Sequence, residues 1–214
     1  MTPTTLALLS TLGDVHQEPI QYNLTRLLEI VLRMSPDVLC AEIAPYAWVS
    51  RNWSKSSLEV RAVLGPLALQ NKIVLVPVLP SNELFADFMP SAGWPRALGV
   101  ALNRILAMGK RAAGSPEAVN GMAFRLFCHF MCILIEWTWA TEDRNRWKWQ
   151  NDAVVNKVME IAQNDPGCRV LVAVQCQRLH EIESRVLALS SDLHVIRYDS
   201  FQSERCWEHA ATGQ

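Results

Sequence analysis

The chain has 214 residues, half of them hydrophobic and 19% charged, which is long enough to bury a substantial core and too apolar for a disordered segment. Twenty basic residues against 21 acidic ones leave a net charge of −1, and no basic run interleaves with aromatics, so nucleic acid is not an expected partner. Met1 to Leu12 contains no Lys or Arg, unlike a secretion signal, and the six cysteines form no Cys-x-x-Cys pair; both points are read as a cytoplasmic protein with reduced thiols.

In chain order, Leu6 to Thr11 is a short apolar run that predicts a strand, followed by Gly13-Asp14-Val15-His16. Pro19 suits a first helical position, and Ile20, Leu24, Leu27, Leu28, Val31 and Met34 recur at helical spacing, so a helix is expected from Pro19 to Met34. Ser35-Pro36 ends it, because the residue before proline is pushed out of the helical region. Asp37 to Ile43 is the second strand, and Glu42 stands at its end. The crossover is long enough for a parallel pair. Ser56 to Gln70 is helical, kinked or divided by Pro66, and Lys72 to Val78 is an apolar, β-branched strand expected to be covered on both faces and to fray at Pro77.

Residues 80 to 140 are read as a mainly helical insertion, a natural place for a lid or substrate pocket. It holds a turn of helix over Glu83–Phe88, a helix over Trp94–Arg111, and an apolar helix from Pro116 to Trp139 with Ser115 as its cap. Gly121 to Ala140 is the most membrane-like stretch, but Arg125, His129 and Glu136 interrupt it, so a buried helix is expected and no membrane span. Cys128, His129 and Cys132 sit in apolar flanks without a fourth ligand and are read as core side chains. Thr141 should cap a helix to Asn164. Asp165-Pro166-Gly167 turns into a fourth strand over Cys168–Val174, then a helix, a short strand over His194–Tyr198, and a polar tail over 203–214. The order predicts one α/β domain over 1–214, with a largely parallel central sheet flanked by helices.

Ligands of open parallel sheets bind beyond the carboxyl ends of the strands. If the first two strands are neighbours, His16 and Glu42 share one rim, where imidazole and carboxylate make a base and its orienting partner. The plainer alternative is that His16 caps a helix and Glu42 is solvated. There is no Gly-x-Ser-x-Gly, no phosphate-binding loop of the Walker type and no dinucleotide fingerprint after any strand, which lowers the lipase, nucleotidase and dehydrogenase alternatives. Trp137, Trp139, Trp147 and Trp149 cluster near one helix junction and either fill the core or line a flat-ring pocket.

Gly13-Asp14-Val15-His16 after a strand, with Pro36-Asp37-Val38-Leu39-Cys40-Ala41-Glu42 closing the next, resembles the superfamily of TraB, Tiki, ChaN and the erythromycin esterases. Arg144-Asn145 is similar to an Arg-Asn pair of that group. The resemblance covers residues 5 to 45 and 141 to 198. It implies a hydrolase acting on an ester or an amide, with His16 and Glu42 catalytic, Arg178, Arg144 and Asn145 holding substrate or anion, and a small molecule or peptide as partner. The group's second Gly-x-x-His is degenerate here: Gln175 replaces the glycine and Arg178 the histidine, with His180 two residues on. A guanidinium is neither a metal ligand nor a base. His16, Glu42 and His180 are therefore a doubtful set for a divalent metal, and Arg178 is expected to face both His16 and Glu42, pair with Glu42 and hold it ionised. The alternatives within the resemblance are a non-catalytic member that binds haem or a small anion, or one that binds a protein partner.

Overall fold

The computed structural model describes residues 4–70, 73–90, 92–189 and 193–198. Five strands form one all-parallel sheet: β1 (Thr5–Thr11), β2 (Val38–Ala41), β3 (Val74–Pro77), β4 (Arg169–Gln175) and β5 (His194–Arg197), in the order β3-β2-β4-β1-β5. The helices are α1 (Leu24–Met34), α2 (Pro45–Val49), α3 (Gly65–Gln70), α4 (Gly93–Ala113), α5 (Pro116–Asn120), α6 (Met122–Glu136), α7 (Thr141–Asn164) and α8 (Cys176–Leu189), with tighter turns at Gly13–Gln17 and Phe85–Phe88 and a π-helical turn at Val60–Leu64. The expected α/β class, with its parallel sheet between helices, is the fold of the chain.

The period of two along each strand sorts the core into two layers. Ala7 and Leu9 of β1, Leu39 and Ala41 of β2, and Leu171 and Ala173 of β4 face one side, where α1 packs through Leu27, Ile30, Val31 and Met34. Leu6, Leu8, Val38, Cys40, Val170 and Val172 face the other, against Val154 and Val158 of α7 and Leu179, Ile182 and Val186 of α8. The chain leaving β1 thus reaches a helix on one face, and the chain leaving its neighbour β4 reaches a helix on the opposite face. That divergence opens a crevice at their carboxyl ends.

Several boundaries depart from expectation for visible reasons. Helix α1 begins five residues late, at Leu24, because Asn23 caps it by accepting from the Arg26 N–H at 3.0 Å. It ends as expected, with Ser35 left-handed at φ 44° before Pro36. The single helix expected from Pro116 breaks at Gly121, whose backbone is extended. The break frees Asn120 to accept the Ser10 N–H at 2.8 Å while donating to the Pro116 carbonyl at 2.8 Å, which ties the insertion to the end of β1. Strand β3 is an edge, not a covered strand, and Val74 is 58% exposed. The expected tail at 203–214 lies outside the described residues. Among those described, no helix is long and apolar enough to cross a membrane.

Candidate functional site

A cavity of about 770 Å³ lies at the carboxyl rim of the sheet. Its wall is built from the loop after β1 (Leu12–Val15), the segment Ser54–Leu58 after β2, the segment Asn82–Asp87 after β3, Gln175 and Gln177 after β4, and Asn103, Leu106, Ala107 and Lys110 on α4. Four strand ends and the helical insertion therefore converge on it.

His16 does not line this cavity. Leu12 is right-handed (φ −108°, ψ −3°) and Gly13 left-handed (φ +67°), a reversal that turns successive backbone N–H groups inward. The imidazole of His16 fills that concavity from within the loop. Its Nε2 accepts from the Leu12 N–H at 2.9 Å, and its Nδ1–H donates to the Tyr22 carbonyl at 2.6 Å. Tyr22 packs edge-on against the ring at 4.8 Å, and its hydroxyl donates to the Ser10 carbonyl at 2.8 Å. Gly-x-x-His is thus a self-closing loop here: glycine supplies the positive φ, and histidine three residues on satisfies the donor that the reversal strands. The same bond to Tyr22 holds residues 19–22 out of the helix expected there. Burial holds the imidazole below its ordinary pKa of 6.5, against an opposing pull from Glu59. The loop needs the neutral ring, so this group's contribution to stability is present above about pH 6.5 and is lost as pH falls through the lowered folded value. His16→Ala orphans two buried backbone groups and is expected to cost about 2–4 kcal/mol in urea denaturation, with the acid-side slope diminished.

Glu42 is also withdrawn from the cavity. Strand β4 lies between β1 and β2, so the expected neighbour relation fails, and two strand spacings, about 10 Å, separate the positions that His16 and Glu42 follow. Their side chains do not converge. Glu42 instead meets Arg178, as expected, with Arg178 Nε at 2.8 Å from Oε1, while the Gln175 N–H donates to Oε2 at 3.1 Å; the other expected neighbour of the guanidinium, His16, is bonded within its own loop. Each of the three guanidinium nitrogens is engaged: Nη1 donates to Asn151 Oδ1 at 2.5 Å, Nη2 to Gln150 Oε1 at 2.7 Å, and the guanidinium carbon lies 3.8 Å from the Trp147 ring centre. Both charged groups are buried. The expected depression of the Glu42 pKa is reversed: burial pushes the carboxyl up to about 7, against the pull of Arg178. Burial likewise lowers Arg178. The pair is an internal polar knot joining the ends of β2 and β4 to α7. Neither residue of the pair lines the rim cavity.

The other candidates fall elsewhere. The His180 ring lies 4.1 Å from that of His129 across α6 and α8, so it does not complete a set with His16 and Glu42. Among the described residues no group of three potential metal ligands comes together. Arg144 donates to Thr141 Oγ1 at 3.3 Å on its own helix, Asn145 is exposed, and neither borders the cavity. The tryptophans divide: Trp139 and Trp147 are buried with Phe85 and Phe88, at ring-centre distances of 5.0–5.9 Å, whereas Trp137 and Trp149 are exposed. The buried cluster is a packed core with no slot for a flat ring. Arg125, the charge inside the apolar helix, is paired with Glu183.

Residues not singled out in the sequence stand in the cavity wall or next to it. Lys110 is buried, lines the wall and donates to the Leu12 carbonyl at 3.2 Å. Glu59 is buried next in the chain to the lining residues Ser57 and Leu58. Its Oε1 accepts from the Thr11 hydroxyl, while Oε2 has no hydrogen-bonding partner. The hydroxyls of Ser56 and Ser57 are likewise buried and unpartnered. A signal for the polar knot was present: Asn151 interrupts the buried stripe Trp147, Val154, Val158 of α7 at a core position.

No family model matches the chain, and no curated protein or solved structure matches it.

Proposed function

We propose that this chain binds a small polar molecule in the rim cavity, with its polar head against Ser56, Ser57, Lys110 and the free oxygen of Glu59. The observation that carries this reading is the group of buried oxygens left without partners beside the cavity: Ser56 Oγ, Ser57 Oγ and Glu59 Oε2. Buried polar atoms are nearly always satisfied, and an unsatisfied cluster at a concave rim marks where a ligand's donors and acceptors go. The wall carries both signs, with Asp14, Glu83 and Asp87 as well as Lys55, Arg61 and Lys110 in its lining. That balance favours a zwitterion or a polyhydroxylated compound over haem or a simple anion.

A thermal-shift panel of sugars, polyols, amino acids and organic anions tests it. Saturable stabilisation by a dipolar or polyhydroxylated class is expected, reaching about 2.7 kcal/mol at a hundredfold excess over Kd, and it should be lost in Lys110→Met and Ser57→Ala. Equal stabilisation of wild type and Lys110→Met, or a response to anions alone, would refute it. The ester- or amide-hydrolase reading shifts with the site: Glu59, next in the chain to the lining residue Leu58, takes the place of His16 and Glu42 as the base, because among the described residues its Oε2 makes no hydrogen bond and no arginine pairs with it. On that reading Glu59→Gln abolishes turnover by at least a hundredfold while the thermal shift with ligand persists.

A further inference from the structure

The insertion carries a surface that neither the cavity nor the core uses. On α6, Met122, Leu126, Phe130, Ile133 and Trp137 are exposed, with Phe130 at 58% and Trp137 at 71%. On α4, Trp94 at 74%, Leu98, Ile105 and Met108 are exposed as well. The two helices run antiparallel in contact: a Cβ on Gly109 would lie 2.3 Å from the Phe127 ring, and one on Gly99 would lie 3.1 Å from Thr138 Oγ1. By helical spacing, Gly109 and the α4 stripe lie on adjoining sides of that helix, so both stripes open onto one outer surface.

We propose that this surface is the interface of a symmetric homodimer, with α6 packed antiparallel against α6 of a second copy. Area is the first argument. The exposed side chains of the two stripes present on the order of 1,000 Å², more than the roughly 800 Å² per partner of a standard interface. The largest apolar patch of a typical monomer is only about 300–600 Å². Spacing is the second. Leu126, Phe130, Ile133 and Trp137 follow one another at intervals of four, three and four residues, the seam that seats one helix against another.

Charge is the third argument, and it selects the occupant. No exposed position of the α6 stripe is charged. Arg125 is turned inward to Glu183, and His129 faces His180 on α8. The α4 arginines Arg104 and Arg111 border only the Met108 end of the α4 stripe, where they line a second groove with Met108, Val100 and Ala107. An anionic lipid surface or a charged peptide finds no complementary charge along the α6 stripe. A second copy needs none, because an isologous contact places an uncharged seam against itself. Phe130 lies at the midpoint of the stripe, so the twofold axis passes beside it.

Sedimentation of the full chain across the micromolar range is expected to show a dimer, and Leu126→Glu with Phe130→Glu a monomer of unchanged circular dichroism. Independently of that variant's folding, Phe130→Cys should form an intermolecular disulfide under air oxidation, while Leu187→Cys, an exposed position on α8, should not. A monomeric wild type at every concentration, a dimer that survives the double substitution, or equal cross-linking at both cysteines overturns the proposal. So does a monomer that co-sediments with vesicles of phosphatidylserine and phosphatidylcholine, which would assign the surface to a membrane.

Discussion

Arg178→Met is expected to destabilise the protein by about 3–5 kcal/mol near pH 8, and by much less near pH 5. Removing the guanidinium leaves Glu42 buried beside the uncharged Gln175 N–H, with nothing to balance a carboxylate. The pH dependence follows from protonation. In the native protein Glu42 already sits at about 7, above its ordinary 4.5, so the folded state binds more protons than the unfolded state between those values. Its contribution to stability is therefore fully present below about pH 4.5 and is lost as pH rises through 7. Without Arg178 the value rises further, and acid neutralises the stranded charge. Glu42→Gln removes that slope, but it leaves the Arg178 guanidinium buried with only neutral partners, so it too is expected to destabilise. Chemical denaturation of the three proteins at both pH values decides the matter, and a loss for Arg178→Met that is the same at pH 5 and pH 8 would dissolve the ion-pair account.

Trp147→Ala should cost a similar amount, about 3–5 kcal/mol, but for a different reason and with no pH dependence of its own. Trp147 is 1% exposed and touches Phe85, Phe88 and Trp139 on one side while carrying the Arg178 guanidinium on the other. Truncation empties the junction of α7 with the Phe85–Phe88 turn, and it strips the cation of its aromatic face. Trp147→Phe retains that face and is expected to lose less. Because Trp147 and Arg178 are in contact, their effects should not add; a double-mutant cycle is expected to show a coupling of about 0.5–3 kcal/mol. A Trp147→Ala loss below 1 kcal/mol would mean that the aromatic cluster is not the core it resembles.

Much of the architecture was legible because unbroken apolar runs such as Val170–Val174 and Leu6–Leu9 have few other uses in a chain this polar at its turns. The strand order was not. Any apolar β-branched run fits beside any other, so nothing local announces that β4 enters between β1 and β2. That one insertion separates His16 from Glu42, and it also brings Arg178 to Glu42, because the arginine follows the strand that intervenes. The meeting of Arg178 with Glu42 was readable from their positions after strands; its enclosure by Gln150, Asn151 and Trp147 depended on which face α7 would cover. His16 misled for a related reason. A histidine three residues after glycine has the same spelling whether its ring serves a ligand or its own loop, and only the two backbone bonds to Leu12 and Tyr22 distinguish them. Lys110 and Glu59 were hidden inside helical stretches where a charged residue ordinarily faces water.

The π-helical turn at Val60–Leu64 makes the stretch from Ser57 to Gln70 one residue longer than an α-helix covering the same span would be. Gly65 closes it by donating to the Val60 carbonyl, and a Cβ there would lie 2.8 Å from the Trp53 ring; Pro66 follows with no N–H to offer. Deleting a single residue within 60–64 restores ordinary helical winding and leaves Leu67 and Ala68 seated in the core. The segment before it keeps its face as well, because the π turn already absorbs the extra residue within a single turn. Glu59 then stays against the Thr11 hydroxyl. The turn is thus a place where one residue can be gained or lost without re-registering the scaffold on either side.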